Sequence, residues 1–149
     1  MIRLASFALV LGLLVAGCGG SSSSAPPIAD AKPFADSFVH GLVETGTSDA
    51  VEADVSSELM PQLRSFQAHL EQDGIKRVNK AGVLSNECPQ ASAVSAGKDC
   101  FVYVLSGSHV PIGGSRKVEA RLRVWPAYED GRWEVVNYDY AVLPAPDED

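Results

Sequence analysis

The sequence predicts an α+β domain in which helices come first and an antiparallel sheet follows. In the first half, apolar residues recur every three or four positions, which is the spacing of one buried helix face. In the second half they alternate with polar residues at a period of two, as in a half-buried strand. Helices followed by strands indicate helices packed on one face of a sheet. The roughly 120 residues that follow residue 29 are enough for one such core, which is expected over residues 30–143.

Three helices are predicted before residue 75. The first begins near Lys32 and ends at Gly46, and the second begins at Ser48, which is a good N-cap. Pro61 separates the second from the third, because proline clashes with the preceding helical turn, and Gly74 ends the third. Each helix has an apolar face with this spacing: Phe34, Phe38 and Leu42; Val51, Val55 and Leu59; Leu63, Phe66 and Leu70.

Four strands are predicted after residue 74, and together they form a curved antiparallel sheet. Residues 75–84 have the mixed pattern of an edge strand, and residues 101–105 are apolar on both faces, as in a central strand. Residues 118–125 alternate cleanly. An Asp-Gly pair at 130–131 predicts a hairpin turn before the returning strand, residues 133–142.

The pairing of the last two strands decides which side of the sheet Asp139 occupies. Unbroken pairing places Asp139 opposite Leu122 and inside, where a carboxylate would be a candidate acid–base group. A bulge near Pro126 shifts the pairing by one residue and places Asp139 outside, beside Arg121 or Arg123. Because an unpaired buried carboxylate is costly, we favour the bulged pairing and keep Asp139 only as a weak catalytic candidate.

The bulged pairing also predicts which side chains line the interior. Val136, Tyr138 and Tyr140 then face inward, and Arg121, Arg123 and Trp125 form an exposed stripe on the convex side. The candidate pocket residues are tyrosines, which at such positions are more often core than ligand contacts: Tyr103, Tyr138 and Tyr140.

The first residues predict export and lipidation. After Arg3 the chain is apolar up to Leu14-Val15-Ala16-Gly17-Cys18, which resembles the lipobox of bacterial lipoproteins. The resemblance implies that residues 1–17 are a signal peptide and that Cys18 carries the lipid that anchors the chain to the membrane. A plain secretory signal with a chance cysteine is the alternative. Residues 18–29, rich in glycine, serine and proline, are expected to be a flexible linker.

Charge and motifs exclude several classes of function. The chain has a formal charge of −7, and removing the single cation Arg3 with the signal peptide lowers it to −8. Such a chain has no electrostatic reason to bind nucleic acid or an anionic membrane surface. It lacks phosphate-loop, nucleophile-elbow and zinc-protease motifs, so neither a cofactor nor a metal is expected.

Two cysteines remain after Cys18, and an even number in an exported domain predicts a disulfide between Cys88 and Cys100. Two inert thiols or a metal site are the alternatives. The metal site is disfavoured, because the histidines lack ligand spacing relative to the cysteines. His40 is expected on the surface, His69 at the boundary of the core and His109 at a strand end.

The order of elements and the segment YEDGRWEVVNYDY, residues 128–140, resemble the nuclear transport factor 2-like superfold, also called SnoaL-like or cystatin-like. The resemblance covers residues 30–143 and implies a cone formed by a curved sheet around helices. A generic helix-plus-meander domain is the alternative. Enzymes of that superfold place an Asp, His or Tyr inside the cone, many members only bind, and many form dimers through the convex face.

We therefore expect a lipid-anchored envelope protein on the periplasmic or cell-surface side of the membrane. It would display a small domain that binds an envelope protein or a small molecule. Two alternatives stay open. One is a small-molecule enzyme that uses Asp139 or an inward tyrosine, and the other is a structural or inhibitor module of the envelope. Residues 144–149 are expected to form a solvated acidic tail.

Overall fold

A computed structural model describes residues 24–89, 99–110 and 114–144. The predicted signal peptide, Cys18 and most of the acidic tail lie outside the described residues. The helices and strands follow one another in this order: α1 (Lys32–Glu44), α2 (Met60–Gln72), β1 (Ile75–Ser85), β2 (Cys100–His109), β3 (Arg116–Glu129) and β4 (Arg132–Val142).

Both α-helices begin with proline in the first turn, where the missing N–H removes no helical hydrogen bond. The chain reverses direction after α1 at Gly46, whose positive φ of 69° is readily adopted by glycine. The buried faces follow the predicted spacing and consist of Ala35, Phe38, Val39, Leu42 and Val43 in α1, and Leu63, Phe66 and Leu70 in α2.

The prediction of a third helix is wrong, because among the described residues only α1 and α2 are α-helices. The segment between them contains two short 3₁₀ turns, Ser48–Ala50 and Glu52–Asp54. Val55 is extended there and pairs with Val135 of β4 in a short parallel bridge. Hydrogen bonding to the sheet thus replaces helical hydrogen bonding, and β-branched valine favours that outcome.

The sheet is a four-stranded antiparallel meander in the order β1-β2-β3-β4, as predicted. Strand β1 is an edge strand with several register shifts, whereas β2 and β3 pair without interruption from Phe101–Val124 to His109–Arg116. The core lies between the helices and the inner face of the sheet. Its sheet side is formed by fully buried residues: Phe101, Tyr103, Leu105, Ala120, Leu122, Val124 and Val135.

The pairing of β3 with β4 contains the predicted register shift, located between Trp125 and Pro126. Leu122 pairs with Tyr140, and Arg123 pairs with Asp139. The bulged pairing is therefore the one that the chain adopts.

Two details of the bulged pairing were predicted wrongly. Val136 is the extra residue of the bulge, so it packs on the outer face with Trp125, and Val135 takes the inner position. Trp125 was expected in an exposed stripe, yet it is only 1% exposed. It is buried because Cys88, Cys100 and neighbouring valines form a second, smaller apolar cluster around it on the outer face.

Candidate functional site

The space between the helices and the sheet is filled by side chains. Phe38, Tyr103 and Leu122 are fully buried, and Phe66 is 1% exposed. Two cavities, of about 540 and 480 Å³, lie at one end of the sheet, and none of the candidate pocket tyrosines lines either of them. Both cavities are therefore separate from the predicted interior site.

Tyr103 forms a polar link between β2 and α1. Its hydroxyl donates a hydrogen bond of 3.0 Å to Oδ1 of Asp36, and Lys32 donates to Oδ2 of the same carboxylate. A Cβ atom at Gly82 of β1 would lie 2.4 Å from the Tyr103 ring. The absent side chain of Gly82 thus leaves the space that the ring occupies.

The electrostatics of this link make it a fixed structural pair. Burial raises the pKa of Asp36, but hydrogen bonds from Lys32 and Tyr103 outweigh it and hold that pKa below its ordinary value. Burial, and then the neighbouring Asp36 carboxylate, raise the pKa of the Tyr103 phenol. At neutral pH Asp36 is an ionised acceptor and Tyr103 a protonated donor, so neither is poised to exchange a proton.

The other two tyrosines connect β4 to α2. The Tyr138 ring stacks on Phe66 with 4.2 Å between ring centroids, and the Tyr140 hydroxyl donates to Oδ2 of Asp73 at 2.8 Å. Burial raises the pKa of both phenols, and the Asp73 carboxylate raises that of Tyr140 further. All three candidate pocket tyrosines therefore serve in packing and in hydrogen bonds between elements.

Asp139 lies on the outer face, where its carboxylate accepts a hydrogen bond from the Arg123 guanidinium. The side chains are 42% and 19% exposed, respectively. An ion pair that solvent screens in this way contributes at most about 1 kcal/mol. The structure thus separates Asp139 from the interior in which an acid–base role was considered.

The three histidines are exposed. His40 pairs with Glu44 at 3.2 Å along α1, and His109 is the last residue of β2, as predicted. His69 was expected at the core boundary but points to solvent. Among residues 24–89, 99–110 and 114–144, no three His, Cys, Asp or Glu side chains are grouped as a metal ion requires.

Cys88 and Cys100 lie at disulfide distance, with their Cα atoms 6.0 Å apart. That separation is in the usual range for a disulfide, so the geometry is compatible with the predicted bond. The pair covers one side of Trp125 and so belongs to the outer apolar cluster.

Sequence reasoning missed a group of four cations at the end of the sheet where both cavities lie. We call this group the cationic rim: Lys76 and Arg77 at the start of β1, and Arg116 and Lys117 at the start of β3. The two cavities meet along residues 117–119, which line both. Glu119 therefore lines both cavities, and a second carboxylate, Asp73, lines the first. The rest of the lining is mostly polar or small, with an apolar wall at residues 142–144.

The signal that predicts the cationic rim was present in the sequence. Lys-Arg at 76–77 and Arg-Lys at 116–117 are adjacent pairs of cations, each at the start of a strand. Strands β1 and β3 run in the same direction, because each pairs antiparallel with β2. Their first residues therefore lie at the same end of the sheet, which brings the two pairs together.

Comparison of the chain with protein-family models, with curated proteins and with solved structures found no match. In the part of the chain that the structure describes, no helix is long and apolar enough to cross a membrane.

Proposed function

We propose that the chain is an envelope lipoprotein that displays a small, non-catalytic binding domain. In this proposal Cys18 carries the lipid, the chain lies on the extracytoplasmic face of the cell membrane, and an envelope protein or a small molecule is bound. Support for the anchor comes from the segment LVAGC at 14–18 and from the Gly/Ser/Pro stretch after it. The α+β architecture with a four-stranded antiparallel sheet supports a nuclear transport factor 2-like cone.

The single observation that carries the non-catalytic assignment is the packed interior. An enzyme that worked inside the cone would need a cavity next to its acid–base group. Tyr103 is fully buried and its hydroxyl is committed to Asp36, while Asp139 pairs with Arg123 on the outer face. Both cavities lie at the rim of the sheet, where binding requires no proton transfer.

The linker sets how far such a domain stands from the membrane. About ten flexible residues have a mean end-to-end distance of roughly 17–19 Å. The domain would then stand clear of the lipid headgroups and stay close enough to meet other envelope proteins.

Cross-linking in intact host cells, followed by capture of the full chain, tests the binding function. We expect a specific partner to be captured, and Tyr103→Phe to leave its yield unchanged, because the interior is not the binding site. The proposal would be contradicted if nothing were captured and the purified chain converted a small molecule at a rate that Tyr103→Phe abolished. That outcome would favour the enzyme alternative.

A further inference from the structure

We propose that the cationic rim is the docking surface and that it takes a short, extended, acidic segment of a partner protein. This inference rests on the proposed binding function and names the chemistry of the partner. It is carried by the charge, the shape and the position of the rim.

The cations of the rim outnumber the carboxylates beside them: Glu119 lines both cavities and Asp73 lines the first, so four cations stand against two carboxylates. Four other basic side chains are in ion pairs with carboxylates: Lys32 with Asp36, Arg64 with Glu52, Arg123 with Asp139, and Arg132 with Glu134. Across residues 24–89, 99–110 and 114–144, no carboxylate lies within ion-pair distance of any cation of the rim. The pKa of Glu44 is lowered chiefly by its hydrogen bond with His40, and the charge of Arg77 adds to that effect.

The shape of the rim fits an extended peptide segment better than a single small anion. The cations belong to two strands and are spread along two adjoining cavities, so they do not converge on one point. Val118, Val142 and Leu143 supply apolar contacts, and the hydroxyl groups of Ser106 and Ser108 lie along the second cavity. An extended segment with alternating acidic and apolar side chains could contact both sets of groups.

The charge of the whole chain restricts the length of the anion. A formal charge of −7 repels a long polyanion or a broad anionic membrane surface once it extends beyond the rim. A short acidic segment meets the local excess of positive charge, four cations against Asp73 and Glu119. The observations therefore favour a protein segment over nucleic acid or a bilayer.

The rim also faces away from the proposed anchor. Glu44, at the end of α1, lies next to Val78 and Arg77, whereas Asp36, near the start of α1, contacts Gly82. Helix α1 thus runs so that its N-terminus, which follows the linker, is at the opposite end from the rim. Five residues of extended strand separate Arg77 from Gly82, which is roughly 17 Å. The rim is therefore at the end of the domain away from its N-terminal attachment, which leaves it accessible to a partner.

The test uses the full chain in a neutral detergent and a fluorescent eight-residue peptide of alternating glutamate and valine. Fluorescence anisotropy measures binding at low and at near-physiological salt. We expect the double variant Arg116→Glu/Lys117→Glu to bind about tenfold more weakly or worse, since it removes two favourable charge contacts with the peptide and adds two repulsive ones. The control Arg64→Glu/Lys80→Glu makes the same change in net charge away from the cavities and should bind within about twofold of wild type.

Equal losses in both double variants would overturn the proposal, because they would show only a dependence on total charge. Equal binding of a lysine–valine peptide would overturn it as well, as would binding to phosphatidylglycerol vesicles or inorganic phosphate without binding to the acidic peptide.

The chain's own acidic residues are the remaining occupant to test. If Asp147→Asn/Glu148→Gln/Asp149→Asn bound the peptide about tenfold more tightly, the tail and not a partner would be the occupant. A thermal melt of each variant checks that it is folded.

These results are separable from the proposed function. If capture in cells succeeded and survived Arg116→Glu/Lys117→Glu, the rim proposal would fail while the binding function stood. If no partner were captured by any form of the chain and the chain converted a small molecule at a rate that Tyr103→Phe abolished, the binding function itself would fail.

Discussion

Asp36 joins α1 to the sheet through hydrogen bonds. Its two oxygens accept hydrogen bonds from Tyr103 of β2 and from Lys32 of its own helix. A carboxylate that receives a donor from a buried phenol stabilises one arrangement of helix and sheet, because any other would leave the phenol unpaired.

We expect Asp36→Asn to lower the free energy of unfolding by about 1–3 kcal/mol at pH 7, since hydrogen bonds to a charged acceptor are weakened. The folded-state pKa of Asp36 is lowered, so its contribution is present above the unfolded value of about 3.9 and is lost as pH falls through the folded value. Urea unfolding from pH 7 to pH 3 should show the difference between wild type and Asp36→Asn shrinking at the acid end.

Asp139→Asn is the matched control for that experiment. It makes the same chemical change in a pair that solvent screens, so we expect a loss below about 1 kcal/mol. A loss from Asp139→Asn as large as that from Asp36→Asn would contradict the assignment of Asp139 to the outer face.

The side of Asp139 could be predicted from the sequence, because an unpaired carboxylate is costly inside and Pro126 offers a place for a bulge. The burial of Trp125 could not, because it depends on where Cys88 and Cys100 meet in space. Alternation along one strand says which face a side chain points to, and it does not say what covers that face.

At the scale of elements, the segment between α1 and α2 also shows that spacing in the sequence does not reveal contacts between distant residues. Val51, Val55 and Leu59 are buried as their spacing predicts. Spacing alone could not distinguish a helix from 3₁₀ turns, because the deciding contact is the bridge from Val55 to Val135 of β4. That contact joins residues far apart in sequence.

The contact of β1 with β2 at Gly82 gives the second prediction. Gly82→Ala places a Cβ about where the Tyr103 ring lies, at 2.4 Å, so ring or strand must move. We expect a loss of about 1–3 kcal/mol, the usual cost of overpacking. Ala81→Val, at the exposed neighbouring position, should be close to neutral in the same denaturant melt. Gly82→Ala with the stability of wild type would show that this packing is wrong.

The third prediction concerns the disulfide bond between Cys88 and Cys100. If the cysteines are bonded, Cys88→Ser/Cys100→Ser should lower the free energy of unfolding by about 2–3 kcal/mol, as expected for a sequence separation of 12. Loss of that cover should also expose Trp125 and shift its fluorescence to longer wavelength. Reduction of the wild-type protein should reproduce both effects. Free thiols in protein purified from the envelope would contradict the bond.

At the scale of the whole molecule, the distribution of charge matters more than its sum. A chain at −7 gives no reason to expect an anion site, yet the fold brings two pairs of cations to one end of the sheet. The candidate site could be recognised only by combining the two pairs of adjacent cations with the order and direction of the strands. The fold class could be predicted from the sequence alone, because the helical and the strand periodicities occupy separate halves of the chain.

The central claim is that this domain is tethered to a membrane through Cys18. Mass spectrometry of the N-terminal peptide of protein isolated from its host membrane tests it most directly. We predict that Cys18 is the first residue and that the mass exceeds that of the peptide by a diacylglyceryl group, with or without a further acyl chain on the amine. A mature chain that begins at another residue, or an unmodified Cys18, would contradict the claim.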